Sequence, residues 1–215
     1  GGGIILHANE LTYSLVCSKE DLGIPAHVVS SYKIICSFLI SFYKALGIEA
    51  GFACDDPEYE SSGELSRLCF AAKEKYDIVS SGRKIGGNAQ KRSRGMIFQH
   101  GSIPFRFEAE KASSFLRHKA PGACECGAAC LEDMLGQDIS APEIARTFTK
   151  AFAESFKVET EALRLSDAEE AIFRDLKALK YESVDWNYNR VDMTEHKDYR
   201  EWKEVSSSPG GSIRG

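Results

Sequence analysis

Ser81-Gly82-Arg83-Lys84-Ile85-Gly86-Gly87-Asn88-Ala89-Gln90 is the stretch on which the reading of this chain turns. Ser81-Gly82 is a turn dipeptide between two β-prone segments. It follows the short apolar run 76–80, and Gly86 to Gln90 is small and permissive. The run 95–103 is again apolar and β-prone. Short strands joined by tight turns therefore occupy the middle of the chain. A lysine set among small residues lets backbone N–H groups approach a substrate closely. Held there, its ammonium can polarise a carbonyl or bind a phosphate. The same composition also suits a solvated hairpin tip.

Working outward toward the N-terminus, 11–17 reads as a strand and 4–6 as a shorter one, with a polar break at 7–10. A helix is expected over 26–46, because Val28, Ile35, Phe38, Leu39, Phe42 and Leu46 recur at three- and four-residue spacing. Pro25 suits its entry and Gly47 its exit. The segment 48–54 is strand-like, and 55–65 is acidic and loop-like. Toward the C-terminus, 108–117 reads as a short helix, 119–129 as a Gly/Ala/Cys loop and 129–135 as a helical turn. Ser140 with Glu143, and Ser166 with Glu169, have capping-box spacing and open two further helices. The first carries Ile144, Phe148 and Phe152 on its apolar face; the second, over 166–180, carries Ile172, Phe173, Leu176 and Leu179. From Val191 the sequence is polar and is expected to be disordered. Strands first and helices after give an α+β class with a mixed or antiparallel sheet. One domain over 1–190 and a tail over 191–215 are expected.

The 215 residues suffice for one domain with a genuine core. The net charge of −5 excludes a surface that attracts nucleic acid as a whole. No run of 18 apolar residues exists, so no membrane span is expected. Seven cysteines, several on core-like faces, point to free thiols in a reducing, cytoplasmic setting. Cys36 lies in the apolar helix and reads as a small core hydrophobe.

Three further clusters carry possible chemistry. Cys69 sits between Leu68 and Phe70, ahead of the Lys84 turn. A nucleophilic thiol needs partial exposure and a nearby cation, which Lys84 supplies if the two segments lie side by side; otherwise Cys69 is core. Gly1-Gly2-Gly3 before a strand can wrap an acyl or phosphate group, with His7 close behind. Cys124, Cys126 and Cys130 lack the paired spacing and the fourth ligand of a zinc site, so they read as loop thiols and no metal is expected.

These clusters join in one resemblance. Gly1-Gly-Gly-Ile-Ile-Leu-His-Ala-Asn-Glu-Leu-Thr-Tyr-Ser-Leu15 resembles the G-G-[GR]-x-x-x-H-x-x-E-L-T-Y-S signature of the lipoate ligase and octanoyltransferase family. Gly82 to Gln90 resembles its G-R-K-[IV]-x-G-[SN]-A-Q segment, and Gln99-His-Gly-Ser-Ile103 its L-Q-H-G-S-I strand. Lys180-Tyr181 and Asp185-Trp-Asn-Tyr-Asn-Arg190 resemble the closing K-Y…E-W-N-Y-K-R. The motifs stand in order over 1–190. Cys69-Phe70 matches the C-F dipeptide of the LipM-type octanoyltransferases, whereas the ATP-using ligases have an N-D where this chain reads Tyr76-Asp77-Ile78.

The resemblance implies a mixed-sheet α+β domain shared with biotin protein ligases. It implies octanoyl or lipoyl transfer from acyl carrier protein to a lysine of a lipoyl domain or glycine-cleavage H protein, with no cofactor. Cys69 and Lys84 would be catalytic; Gly1, Gly2, Gly3, His7, Arg83, Gly87, Asn88, Ala89 and His100 would bind substrate. An ATP- and Mg-dependent lipoate–protein ligase, or an inactive paralogue that binds lipoyl domains, is the alternative. The basic run Arg83, Lys84, Lys91, Arg92 and Arg94 offers a docking surface for an acidic carrier protein. Family members carry several dozen residues ahead of the glycine motif, so the chain is expected to lack that N-terminal part of the domain.

Overall fold

The computed structural model describes residues 6–23, 27–56, 74–108, 111, 114, 115, 127–137, 139–189, 191, 197 and 200. The expected tail, apart from 191, 197 and 200, and the expected strand at 4–6, apart from Leu6, lie outside the described residues, as do most of the 108–117 helix and of the 119–129 loop. The chain divides into two compact units, Gly1–Thr160 and Glu161–Gly215.

The first unit is built on two small antiparallel sheets. Strand β1 (Glu10–Ser18) pairs with β6 (Met96–Pro104), which also pairs with β5 (Gly87–Ser93), in the order β1-β6-β5. A second sheet joins β2 (Gly51–Phe52), β3 (Ile78–Ser80) and β4 (Arg83–Lys84). Both hairpin turns are tight and have left-handed backbone, Ser81-Gly82 between β3 and β4 and Arg94-Gly95 between β5 and β6. Two successive residues with φ > 0 give the turn whose twist matches that of the strands it joins. The class is α+β, as the order of elements in the sequence implies.

Helix α1 (Val28–Ala45) covers one face of the larger sheet. His27 caps it: its ring accepts the Ser30 N–H. Residues 24–26 are outside the described set. Gly47, at φ 79°, ends the helix, and the Ile48 N–H returns to the Tyr43 carbonyl at 2.9 Å. By length and apolarity α1 qualifies as a bilayer-crossing helix. Its Ile35, Cys36, Phe38, Leu39, Phe42 and Tyr43 are instead buried in the protein core.

Strand alternation decides which side chains meet α1. Leu11, Tyr13, Leu15 and Cys17 of β1 face inward, with Ile97, Gln99 and Ile103 of β6. Thr12, Ser14, Val16, Met96, Phe98 and His100 face the opposite, exposed side. After α2 (Leu131–Leu135), helix α3 (Ala141–Phe156) packs on α1. Phe148 lies 5.0 Å from Tyr13, 5.1 Å from Phe38 and 5.3 Å from Phe42 between ring centroids, and Phe152 lies 5.3 Å from Phe38. The apolar face read from Ile144, Phe148 and Phe152 is therefore the face that packs.

The capping box expected at Ser140 does not form; no side chain caps α3. The Glu143 N–H that the Ser140 hydroxyl would take bonds the Ser140 carbonyl instead, at 2.9 Å. Pro142, in the first turn, brings no N–H to satisfy. In the second unit, α4 (Asp167–Leu176) does carry its box. The Ser166 hydroxyl accepts the Glu169 N–H, and the Glu169 carboxylate accepts the Ser166 N–H at 2.7 Å. Two wider turns, Lys177–Tyr181 and Asp185–Asn189, follow.

Candidate active site

Lys84 ends β4, and its side chain is buried rather than set on a solvated tip. Its ammonium lies 2.7 Å from Asp77 Oδ2, and each side chain is only 7% exposed. The local backbone fixes this placement. The Lys84 N–H donates to the Gly127 carbonyl at 2.7 Å, and its carbonyl accepts from the Ala129 N–H at 2.8 Å. One parallel bridge thus attaches the start of the 127–131 segment to β4. A buried ammonium without a counter-charge is costly to desolvate, so the carboxylate at Asp77 makes the site possible. In the sequence, Asp77 is distinguished only by standing where the ligases have an N-D. A carboxylate immediately before an apolar strand was the signal for a buried counter-ion.

Asp77 has a second task. Its Oδ2 also accepts the Glu74 N–H at 2.7 Å. Its carbonyl accepts the Ala53 N–H at 2.8 Å, and the Cys54 N–H reaches the Lys75 carbonyl at 2.9 Å. Lys33 of α1 spans both sides of this closure. It pairs with Asp55 at 3.2 Å and lies 5.7 Å from the centre of the Tyr76 ring. Residues 57–73 leave and return through this root. Cys69 belongs to that segment and lies outside the described residues, as do Gly1, Gly2, Gly3, Cys124 and Cys126.

The described thiols differ in availability. Burial pushes the Cys36 thiol up to about 12, and burial also raises Cys17 and Cys130. These three are protonated at neutral pH and are poor nucleophiles. All four described cysteines are free thiols, and among the described residues no cluster of His, Cys, Asp and Glu could hold a metal.

The inner face of the larger sheet carries a polar chain that no local sequence pattern marks. Gln99, fully buried, donates to the Tyr13 hydroxyl at 3.0 Å and accepts from Gln90 Nε2 at 2.9 Å. The Tyr13 hydroxyl donates to Asn88 Oδ1 at 2.6 Å. Tyr13 and Asn88 both stand opposite Gly101, one on each side of β6. A methyl at Gly101 would meet Asn88 Oδ1 at 2.3 Å and Tyr13 Cε1 at 2.5 Å. Glycine is what lets the phenol reach across the central strand. Burial raises the Tyr13 and Tyr32 phenols far above their ordinary range, so both act as neutral donors.

The remaining sequence candidates fall into three environments. The Asn88 side chain turns inward to Tyr13, and Gly87 opens β5 opposite Ser102. Ala89 and His100 stand side by side on the exposed face, where His100 stacks on Phe98. Arg83 is half-exposed, 3.8 Å from Asp133 and 3.6 Å from Met134 Sδ. His7 pairs with Glu10. The basic run does not form one patch. Lys84 is buried, and Arg92 turns in to bond Gln90 at 2.7 Å and the hydroxyl of Ser31. Lys91 and Arg94 are the exposed members.

Residues 1–153 match the family described as the lipoyl protein ligase A/B catalytic domain. The octanoyltransferase LipM of Halalkalibacterium halodurans is 31% identical over 200 residues, covering 88% of this chain and 72% of that protein. LipM of Bacillus subtilis gives the same identity and coverage. Among solved structures, the bi-partite lipoate protein ligase of Thermoplasma acidophilum superposes with a TM-score of 0.60 at 18% identity, covering 86% of this chain and 66% of that one. Lipoate-protein ligase A bound with ATP gives a TM-score of 0.59 at 20% identity, covering 83% of this chain and 64% of that one. The chain thus spans just under two thirds of those two structures, and they show its fold. The chain belongs to the lipoyl protein ligase A/B catalytic-domain family, a family of enzymes, and its curated relatives are acyltransferases.

Proposed function

We propose that this chain transfers an octanoyl or lipoyl group from acyl carrier protein to a lysine of a lipoyl domain or glycine-cleavage H protein, through a thioester on Cys69. The observation that carries the reading is the buried Lys84–Asp77 pair at the root of the segment holding Cys69. The octanoyltransferase relatives support the acyl group.

The Cys69 thiolate attacks the donor thioester carbonyl, and the Lys84 ammonium stabilises the oxyanion that forms. One preorganised donor of this kind is worth about 3–4 kcal/mol. Asp77 fixes where that ammonium stands. The thiol of the carrier leaves, and the acyl group stays on Cys69 until the acceptor lysine takes it. The donor thioester is already activated, so this route draws on no nucleotide. Gly1 to Gly3, His7, Arg83, Gly87, Ala89 and His100 are proposed to frame the bound substrate together with the backbone of Asn88, whose side chain is held inward by Tyr13.

Incubation with octanoyl–acyl carrier protein, followed by intact-mass measurement, tests this. An octanoyl adduct is expected on the wild type and is expected to vanish in Cys69→Ser. No adduct, together with lipoate-dependent ATP–pyrophosphate exchange, would overturn the transferase in favour of a ligase. Neither activity would leave a protein that only binds lipoyl domains.

A further inference from the structure

Just before β1, His7 is 60% exposed, yet its Nδ1 binds the Oε1 of Glu10, whose side chain is only 6% exposed. The other oxygen of that carboxylate, Oε2, accepts from the Ser102 hydroxyl. A hydroxyl across the sheet, a buried carboxylate and an exposed imidazole therefore stand in line. The neighbouring charges are engaged elsewhere: Arg106 on Glu132 at 2.6 Å, and Glu108 with Lys111 at 2.9 Å. Ser102 faces Gly87 across β6 and β5, three residues along the chain from Lys84. The Ser102 end of the line thus lies beside the glycine pair that continues from the lysine, and His7 is its solvent end.

The chemistry of this arrangement is specific. A carboxylate can only accept, so Nδ1 presents its N–H to Glu10 and the ring lone pair lies on Nε2. Ser102 holds the carboxylate, the carboxylate holds the ring, and the ring's other edge is open to solvent. An oriented imidazole with its basic nitrogen outward is the form a general base takes.

We propose that His7 is the general base that takes the proton from the acceptor lysine, with Glu10 as its positioning residue. This rests on the covalent transfer proposed above. His7 Nε2 takes a proton from the lysine ammonium, and the neutral amine so formed attacks the enzyme-held thioester. The C–N bond forms, the C–S bond breaks and its electron pair stays on sulfur. The second proton, shed by nitrogen after attack, passes to the departing thiolate, and His7 returns its own to water. The first half-reaction, in which a thiolate attacks a thioester, has no amine proton to remove. His7 therefore acts in the second half only.

The test separates the halves in the full chain. Octanoyl–acyl carrier protein loads the enzyme, and intact mass follows the adduct as it decays with glycine-cleavage H protein or with hydroxylamine, a nucleophile that is neutral at pH 7. In His7→Gln, the readout is the rate of decay to the protein lysine relative to loading and to decay with hydroxylamine. Decay to the protein lysine falls by about 10²–10⁴-fold, the usual range for losing a positioned base, and added imidazole restores part of it. Glu10→Gln lowers the same step less and leaves the other two rates unchanged. Decay to protein in His7→Gln at the wild-type rate would overturn the proposal. So would a common fall in all three rates, the signature of a damaged sheet end. A wild type that never loads fails at the thioester itself, and then the transfer mechanism rather than the role of His7 is what has been refuted.

Discussion

Asp77 is the residue whose replacement should be most informative. Its carboxylate, nearly buried, meets the Lys84 ammonium and the Glu74 N–H at the same oxygen. Removing one member of a buried pair strands the other charge, at a cost of about 3–5 kcal/mol. Asp77→Ala is therefore expected to lower the denaturation midpoint sharply. Asp77→Asn keeps the shape and an acceptor, so it should lose less stability yet slow adduct formation. Chemical denaturation beside intact-mass kinetics measures both; wild-type behaviour in Asp77→Asn would show that the charge does not matter. Gly101 is the second test. Its replacement by alanine pushes a methyl into Asn88 and the Tyr13 ring, and overpacking of this kind costs about 1–3 kcal/mol. The matched change at Gly51, where nothing lies within 4 Å, should cost far less. At this scale the sequence was only partly readable. Lys84 stood out because it is a charge among small residues, but Asp77, Tyr13 and Gln99 acquire meaning only from partners 7, 75 and 9 positions away in the chain.

For the helices, two serines of identical appearance behave differently. Ser166 caps α4 through its hydroxyl, while Ser140 leaves α3 without a side-chain cap. Ser166→Ala should destabilise the second unit by about 1 kcal/mol, and Ser140→Ala should cost only a small fraction of that. Thermal melts followed by far-ultraviolet circular dichroism give the comparison; equal losses would contradict it. The spacing S-x-x-E is common to both sites. What separates them is whether the third N–H is already taken by the backbone, a property of dihedral angles and not of composition. The strands were readable for a related reason. Alternation from Leu11 to Leu15 of β1 marks inner and outer residues, although the apolar Val16 faces outward, whereas Gly87 to Ser93 alternates polar with small or charged residues and carries no strand signal apart from its register with β6.

At the scale of the molecule, the core is an aromatic stack in which Phe38 touches Tyr13, Phe148, Phe152 and Phe156. Phe38→Ala removes the ring common to the sheet, α1 and α3, and is expected to cost about 3–5 kcal/mol, read as a lower midpoint in guanidinium. The amino-acid order by itself determined the class of fold, the course of α1, the apolar face of α3, the family and the lysine at its centre. Each of these follows from local periodicity or from short contiguous motifs, which survive without knowledge of what lies opposite. Tertiary structure alone decided that Lys84 is buried against Asp77, that Arg92 turns inward and breaks up the basic run, and that His7 leans on a carboxylate held by Ser102. The reason is physical: burial, charge pairing and orientation are properties of distances between elements, and those distances exist only once β3 and β4 have paired, α1 has packed on the larger sheet and β6 has brought β1 and β5 into register.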